Sequence, residues 1–146
     1  MATIKKIKVD AKWAGNMLIE LKARDLVQYV DQPEASGGTN KGMTPLEYVL
    51  GAMASCIITI GLIIAKQKRL NIKGLSASAE GEIDYDVLMG KADKPRAGFY
   101  KIKVNVKVDA DMSKEEKEKF LKEIESRCPV ADNLLNPTQV EVVLEE

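Results

Sequence analysis

Two cysteines, Cys56 and Cys128, are the side chains of this sequence best suited to chemistry, and one lies in each half of the chain. Because the chain has no histidine, neither a Ser-His-Asp nor a Cys-His nucleophile can be assembled, and a His-based zinc site is excluded as well. Two cysteines far apart also make a poor zinc site, so we expect no metal and no cofactor. Thiol chemistry remains, although a helical cysteine also serves simply as a small core hydrophobe.

Cys56 lies in the middle of residues 44–69, a stretch whose pattern predicts one long helix. Thr44 is a suitable N-cap, Pro45 suits the first helical position, and Glu47 completes a T-x-x-E capping box. Residues 49–65 carry no charge and are apolar on nearly every face, which is typical of a helix that is buried all round. The thiol of Cys56 is therefore predicted to lie on a rigid, largely dry element.

Cys128 continues the inner face of a second predicted helix, which begins at a capping box formed by Ser113 and Glu116. It lies one turn beyond the inner stripe of Phe120, Leu121 and Ile124. Pro129 should end this helix and start a new turn, which makes Cys128 an N-cap, where amide hydrogens and the helix dipole favour a thiolate. Arg127 would also favour a thiolate at Cys128 if its side chain turned back toward that residue. Whether the two cysteines meet in space is left open by their spacing.

Alternation of apolar and polar residues predicts the strands that surround these helices. The strands are expected at residues 4–13, 17–23, 26–30, 75–86, 100–108 and 139–144. One dry and one wet face is typical of an antiparallel sheet packed on another element, which we expect to be the central helix. Residues 31–43 form a Gly-, Pro- and Asn-containing loop that leads into that helix, and a loop of such length is often functional.

Length and charge narrow the class of protein further. The 146 residues suit a single domain, 1–146, with a substantial core, and 22 basic against 22 acidic residues argue against a nucleic-acid partner. The first ten residues lack the apolar segment of a signal peptide, so we expect a cytoplasmic protein with reduced cysteines. The apolar run 49–65 is shorter than the roughly 20 residues of a typical membrane span, and no span is expected.

Two motifs in order resemble the OsmC/Ohr family. Residues 43–56, MTPLEYVLGAMASC, resemble that family's N-P-x-E-L-x-x-x-A-x-x-x-C helix, and residues 126–135, SRCPVADNLL, are similar to its second-cysteine motif. The segments QKRLNIKGLSASAEGEI and RAGFYKIKVNVKV match in order and spacing between them. The resemblance implies an α+β, OsmC-like fold in which antiparallel sheets wrap around a long buried central helix within an intertwined homodimer.

The activity implied by the resemblance is thiol-dependent reduction of organic hydroperoxides. Cys56 would attack the peroxide and become a sulfenic acid. Cys128 would resolve it as a disulfide, which an external dithiol then reduces. That disulfide requires the two Cα atoms to lie within about 7 Å of each other. The sites would lie at the dimer interface, and their apolar surroundings favour organic peroxides over hydrogen peroxide.

Two departures from the family pattern concern the groups around the thiolate. The peroxidases carry a Glu ten residues before the first cysteine, paired with an Arg, whereas Leu46 occupies that position here and the acid follows at Glu47. A helical rotation of about 100° per residue places Glu47 nearly opposite Cys56, which favours the capping role. A thiolate in an apolar site needs a cation or amide donors. Arg24 is the candidate cation, and the alternatives are Arg69, Arg96 and Arg127.

Other functions fit the same fold. The Pro-Leu-Glu sequence at residues 45–47, in place of Pro-Glu-Glu, resembles a branch of OsmC-related proteins rather than the specialised peroxidases. A member of that branch would bind a small apolar ligand or handle thiol and disulfide exchange. A third interpretation is a structural dimer with two inert buried thiols.

Overall fold

The computed structural model describes residues 2–146. By its internal contacts the chain forms two compact units, Met1–Val49 and Leu50–Glu146. The single domain predicted over 1–146 stays a prediction.

The first unit contains a three-stranded antiparallel sheet. Its strands are β1 (Asp10–Trp13), β2 (Ile19–Ala23) and β3 (Leu26–Val30), in the order β1-β2-β3. The second strand begins two residues later than predicted, and the third strand has the predicted bounds. The strand predicted over 4–13 is wrong in extent, because only its last four residues pair with β2. Ile7 and Trp13 on its supposed dry face are 90% and 72% exposed.

The loop that follows β3 is organised by the carboxylate of Asp31, whose side chain is buried. Asp31 Oδ1 accepts the Gln32 N–H at 2.8 Å, and Oδ2 accepts the Thr39 hydroxyl at 2.7 Å, the Thr39 N–H at 3.2 Å and the Lys41 N–H at 3.1 Å. The Thr39 hydroxyl, together with the three amides, outweighs burial and lowers the pKa of Asp31 to about 2. The predicted loop 31–43 is therefore a fixed structure held by one anion.

Helix α1 spans Pro45–Lys68 and confirms the predicted long helix. Its predicted capping box is also confirmed: Thr44 Oγ1 accepts the Glu47 N–H at 3.2 Å, and Glu47 Oε1 accepts the Thr44 N–H at 2.9 Å. Among residues 2–146, α1 is the helix that is long and apolar enough to cross a membrane. The core helix of a soluble protein has the same length and composition.

The second unit continues with an antiparallel pair of strands and three helices. They are β4 (Ile72–Glu82), α2 (Tyr85–Leu88), β5 (Lys101–Ala110), α3 (Lys114–Arg127) and α4 (Pro129–Leu135). The predicted strand 75–86 begins earlier and ends at Glu82, because Asp84 caps α2 by accepting the Asp86 N–H. The predicted capping box at Ser113 is confirmed.

One cluster of buried side chains joins α1, α3 and α4. Its members are Ile57, Ile64, Phe120, Ile124, Cys128 and Ala131. Val104, Val106 and Val108 of β5 pack against it, so the dry face of this sheet lies on the central helix as predicted. Glycine at position 61 permits the close approach, because a Cβ there would come within 2.8 Å of Leu75 Cδ2 and 3.1 Å of Ile124 Cδ1.

Two expectations about burial are wrong within this chain. The expectation that α1 is buried on every face fails, because Leu62 and Ile63 are 53% and 41% exposed; the sheet and α3 cover the opposite side of the helix. The strand predicted over 139–144 is absent, and its side chains are exposed, Val142 by 94%. Alternation supplies a strand pattern, but a strand forms only where a neighbouring edge accepts its backbone hydrogen bonds.

Candidate active site

The two cysteines lie beside each other in the second unit. Cys56 is half-buried on α1 and packs against the core cluster that contains Cys128, which is 2% exposed. Both are free thiols, and the Cys128 side chain is close enough to Cys56 to shift the pKa of Cys56. The inward face of α1 repeats one turn later at Ile60 and again at Ile64, and this helical period fixes the direction of the thiol.

Cys128 is held by the ends of two helices. It closes α3, and it is the N-cap of α4, where its Sγ accepts the Ala131 N–H at 3.4 Å. Pro129 at the first position of α4 suits this geometry, since its missing N–H would have had no helical partner. The predicted N-cap role of Cys128 is therefore confirmed.

The side chain of Arg127 does not turn back toward this cap. Its Nη1 donates to Gln67 Oε1 at 3.0 Å and lies 3.7 Å from Glu123 Oε1. It therefore crosses to the last turn of α1. The reason is local: Glu123 stands one turn earlier on the same face of α3, and the opposite charges attract.

The surroundings of Cys56 favour its neutral form. Burial raises the pKa of Cys56, and the neighbouring Cys128 side chain raises it further, because both favour the protonated thiol. The backbone amide of Val130, in the first turn of α4, lowers the pKa in part. Within residues 50–146, the groups that shift the pKa of Cys56 are thus the Cys128 side chain and the Val130 amide.

The two remaining predicted site residues lie in the first unit. Glu47 is used by its capping box, and the pKa of its carboxyl is lowered by the Thr44 backbone N–H and the Thr44 hydroxyl. Arg24 occupies the turn between β2 and β3 with a positive φ of 57°. A role for either residue beside the thiol stays a prediction.

The amide of Val130 is a part of the site that the sequence reasoning missed. The Cys-Pro pair pointed to amides near Cys128, but the effect of one of them on the pKa of Cys56 depends on how α1 and α4 pack. Over residues 2–146 there is no group of three or more Cys, Asp or Glu side chains placed to hold a metal. Two neighbouring thiols with apolar neighbours such as Met53 and Ile60 are suited to reversible disulfide formation.

Residues 38–143 match the family model described as OsmC-like protein. No match is found among curated proteins. Solved structures are similar over nearly the whole chain. An OsmC-like protein from Mycoplasma pneumoniae is 20% identical with a TM-score of 0.79, and the match covers 92% of this chain and 91% of that one.

Two further similar structures carry a functional description. An organic hydroperoxide resistance protein from Elizabethkingia anophelis is 16% identical with a TM-score of 0.69, covering 94% of this chain and 93% of that one. An organic hydroperoxide resistance protein OsmC from Legionella pneumophila is 16% identical with a TM-score of 0.63, covering 91% of each chain. In this fold the long apolar helix is the core helix, so α1 is not a membrane span. With its central helix, two small antiparallel sheets and a family match over most of its length, the chain belongs to the OsmC-like protein family.

Proposed function

We propose that this protein is a thiol-dependent peroxidase that reduces organic hydroperoxides through Cys56 and Cys128. The observation that carries the proposal is the pair of free thiols held on separate helices in one core. Two of the similar structures are organic hydroperoxide resistance proteins, which supports the same substrate class.

The reaction begins with the thiolate of Cys56. It attacks the terminal oxygen of the hydroperoxide, the O–O bond breaks, and the alkoxide leaves as the alcohol after it takes up a proton. Cys56 is then a sulfenic acid. The thiol of Cys128 attacks its sulfur, water leaves, and the Cys56–Cys128 disulfide forms. An external dithiol returns both residues to the reduced state, as the reducing conditions of the cytoplasm would allow.

The substrate preference follows from the surroundings of the thiols. Met53, Ile60 and Val130 pack, like Cys56, against the buried cluster that contains Cys128, and apolar side chains favour the organic part of a hydroperoxide over the fully hydrated hydrogen peroxide. We therefore expect organic hydroperoxides to react faster than hydrogen peroxide.

The active protein is proposed to be a homodimer. A second copy would cover the exposed apolar part of α1 at Leu62 and Ile63, since large apolar surfaces are usually buried by a partner. Sedimentation of the protein and of an Ile63→Asp variant tests this assembly, with Lys122→Asp, an exposed residue of α3, as the control because α3 covers the opposite side of α1. A monomeric wild-type protein would contradict it.

The second candidate is an OsmC-related protein without peroxidase activity, which binds a small apolar ligand or exchanges disulfides. Two observations favour it: the pKa of Cys56 is raised, and Glu47 is already used by its capping box. A protonated thiol is a poor nucleophile, so this candidate predicts slow oxidation at neutral pH.

Stopped-flow oxidation of the reduced protein separates the two candidates. Cumene hydroperoxide and hydrogen peroxide are compared, and the intact mass is read at the end. The peroxidase predicts fast oxidation by cumene hydroperoxide with loss of two hydrogens, abolished in Cys56→Ser while the fold is kept. Slow oxidation at equal rates by both peroxides would reject it in favour of the second candidate.

A further inference from the structure

A set of polar contacts joins the end of α1 to the end of α3, outside the apolar core. Arg127 Nη1 donates to Gln67 Oε1 at 3.0 Å. Lys68 Nζ donates to Glu123 Oε2 at 2.6 Å, and the other carboxylate oxygen of Glu123 lies 3.7 Å from Arg127 Nη1. We call these four side chains the polar clamp. Because Cys128 directly follows Arg127, the clamp ends beside the proposed resolving cysteine.

The two helices also meet at a point between the clamp and Cys56. A Cβ at Gly61 would lie 3.1 Å from Ile124 Cδ1, so the inner face of α3 reaches the backbone of α1 there. At a rise of about 1.5 Å per residue, Cys56 lies about 7.5 Å before Gly61 along α1, and Gln67 lies about 9 Å after it. Along α1, Cys56 and the polar clamp are therefore on opposite sides of the point that α3 touches.

The polar clamp gives the packing of α3 on α1 a fixed direction. The contact at Gly61 is made by apolar side chains, and apolar contacts are not directional. On α3, Glu123 and Arg127 are one helical turn apart and form one stripe. Ile124 and Cys128 form the neighbouring stripe, about 100° further round the helix. Holding the first stripe on the end of α1 therefore also sets the position of the second stripe, which carries the Cys128 sulfur.

The backbone bond that ends α3 is long, which increases the importance of the clamp. The Cys128 N–H donates to Glu125 O at 3.4 Å, beyond the usual range of about 2.7–3.2 Å. The bond from Arg127 to Gln67 is 3.0 Å long and has a charged donor, which makes it stronger than a bond between neutral groups. The clamp thus provides a directional anchor at the point where the backbone bonding of α3 ends.

We propose that the polar clamp positions Cys128 for the disulfide with Cys56. Gln67 and Arg127 are its positioning residues, and they act by ordering the end of α3 before the two sulfurs bond. Conformational freedom that is already lost in the reduced protein does not have to be lost when the disulfide forms. The clamp therefore makes the disulfide more favourable. This inference rests on the disulfide of the proposed function but not on its reaction with a peroxide.

Equilibration of the full-length protein with glutathione tests the clamp without a peroxide. The S–S bond of oxidised glutathione breaks and the Cys56–Cys128 bond forms, while two electrons and two protons pass from the cysteines to two glutathione thiols. The disulfide-bonded fraction is read by intact mass after alkylation of the free thiols.

Gln67→Leu and Arg127→Leu should each lower the equilibrium constant for the disulfide by about threefold or more, as expected for the loss of a hydrogen bond with a charged donor. The double variant should show about the same constant as the weaker single variant, because both substitutions remove the same contact. Gln67→Glu keeps an acceptor for Arg127 and should retain the wild-type constant. Lys122→Leu removes a positive charge from an exposed position of α3 outside the clamp and should also retain it.

The proposal is overturned if no disulfide forms, if either Gln67→Leu or Arg127→Leu keeps the wild-type constant, or if Lys122→Leu lowers the constant as much as Arg127→Leu does. A contact that only stabilises the fold would lower the melting temperature of reduced Gln67→Leu and leave its constant unchanged. Slow oxidation by cumene hydroperoxide would reject the peroxidase but not this inference, because the exchange with glutathione needs no peroxide.

Discussion

Cys56 on α1 packs against the core cluster that contains Cys128, which is at once the end of α3 and the N-cap of α4. Three helix segments thus fix the two sulfurs relative to each other. A disulfide between them would close a long chain segment. In the proposed reaction the hydroperoxide supplies the two-electron oxidation, and the neighbouring thiol of Cys128 then displaces water from the Cys56 sulfenic acid. The two cysteines have different proposed roles, attack by Cys56 and resolution by Cys128, and these roles can be tested separately.

Cys128→Ser should separate the first oxidation from the second. In this variant Cys56 should react with cumene hydroperoxide at nearly the wild-type rate, because the attacking sulfur is unchanged, and it should stop as a sulfenic acid. Catalytic turnover with a dithiol such as dithiothreitol should fall, and a dimedone adduct measured by mass should mark the sulfenic acid. Disulfide-linked product from this variant, or an unchanged turnover, would contradict the resolving role.

Arg24→Ala tests which group supplies the positive charge at Cys56. Burial and Cys128 raise the pKa of Cys56. Without a cation, therefore, the thiolate fraction and the oxidation rate should keep rising with pH beyond the ordinary thiol range. If Arg24 lies beside the thiolate, the wild-type rate should level off at a lower pH than that of the variant. The measurement is the rate of cumene hydroperoxide oxidation against pH, with Arg96→Ala as control. Superimposable profiles for wild type and Arg24→Ala would exclude this role for Arg24.

Asp31 should make the stability of the first unit depend on acid. The folded-state pKa of about 2 lies below the ordinary value of 3.8 for this side chain, so the contribution of Asp31 to stability is present above pH 3.8 and is lost as the pH falls through about 2. Asp31→Asn should lower the melting temperature at neutral pH, since an amide places donors against the donors of Thr39 and Lys41. Fluorescence of Trp13 in the same unit reports the unfolding.

Glu34→Gln is the matched control for Asp31, because Glu34 is an exposed acid of the same loop. It should leave both the melting temperature and its acid dependence close to those of the wild type. If the melting temperature of Asp31→Asn fell at acid pH as it does in the wild type, the Asp31 carboxylate would not be the cause of the loss of stability in acid.

Gly61→Ala and Gly51→Ala should change stability in opposite directions although both lie in α1. At Gly61 a Cβ would meet Leu75 and Ile124 side chains at 2.8 and 3.1 Å, and overpacking of this kind costs about 1–3 kcal/mol. At Gly51 a Cβ would meet nothing within 4 Å, and the better helix propensity of alanine should stabilise by about 0.5–1 kcal/mol. Denaturant unfolding gives both values. Stabilisation by Gly61→Ala would contradict the close packing of α1.

Features that depend on neighbouring residues along the chain could be predicted from the sequence. The capping boxes at Thr44 and Ser113 lie where their spacing predicts them, because both partners of each box are three residues apart. Cys128 as an N-cap follows in the same way from the proline after it. The family resemblance rested on these same local motifs.

Features that need a partner distant in sequence were decided by the tertiary structure. Alternation is the same in residues 100–108 and 139–144, yet only the first became part of a strand, because β4 lies beside it and accepts its hydrogen bonds. The proximity of Cys56 to Cys128 and the effect of the Val130 amide on the pKa of Cys56 likewise depend on how α1 packs on α4. The local sequence shows which residues carry a thiol and which helices present them. Only the packing of those helices makes the two sulfurs neighbours, because Cys56 and Cys128 lie on segments that are far apart in the chain and are brought together by a common core.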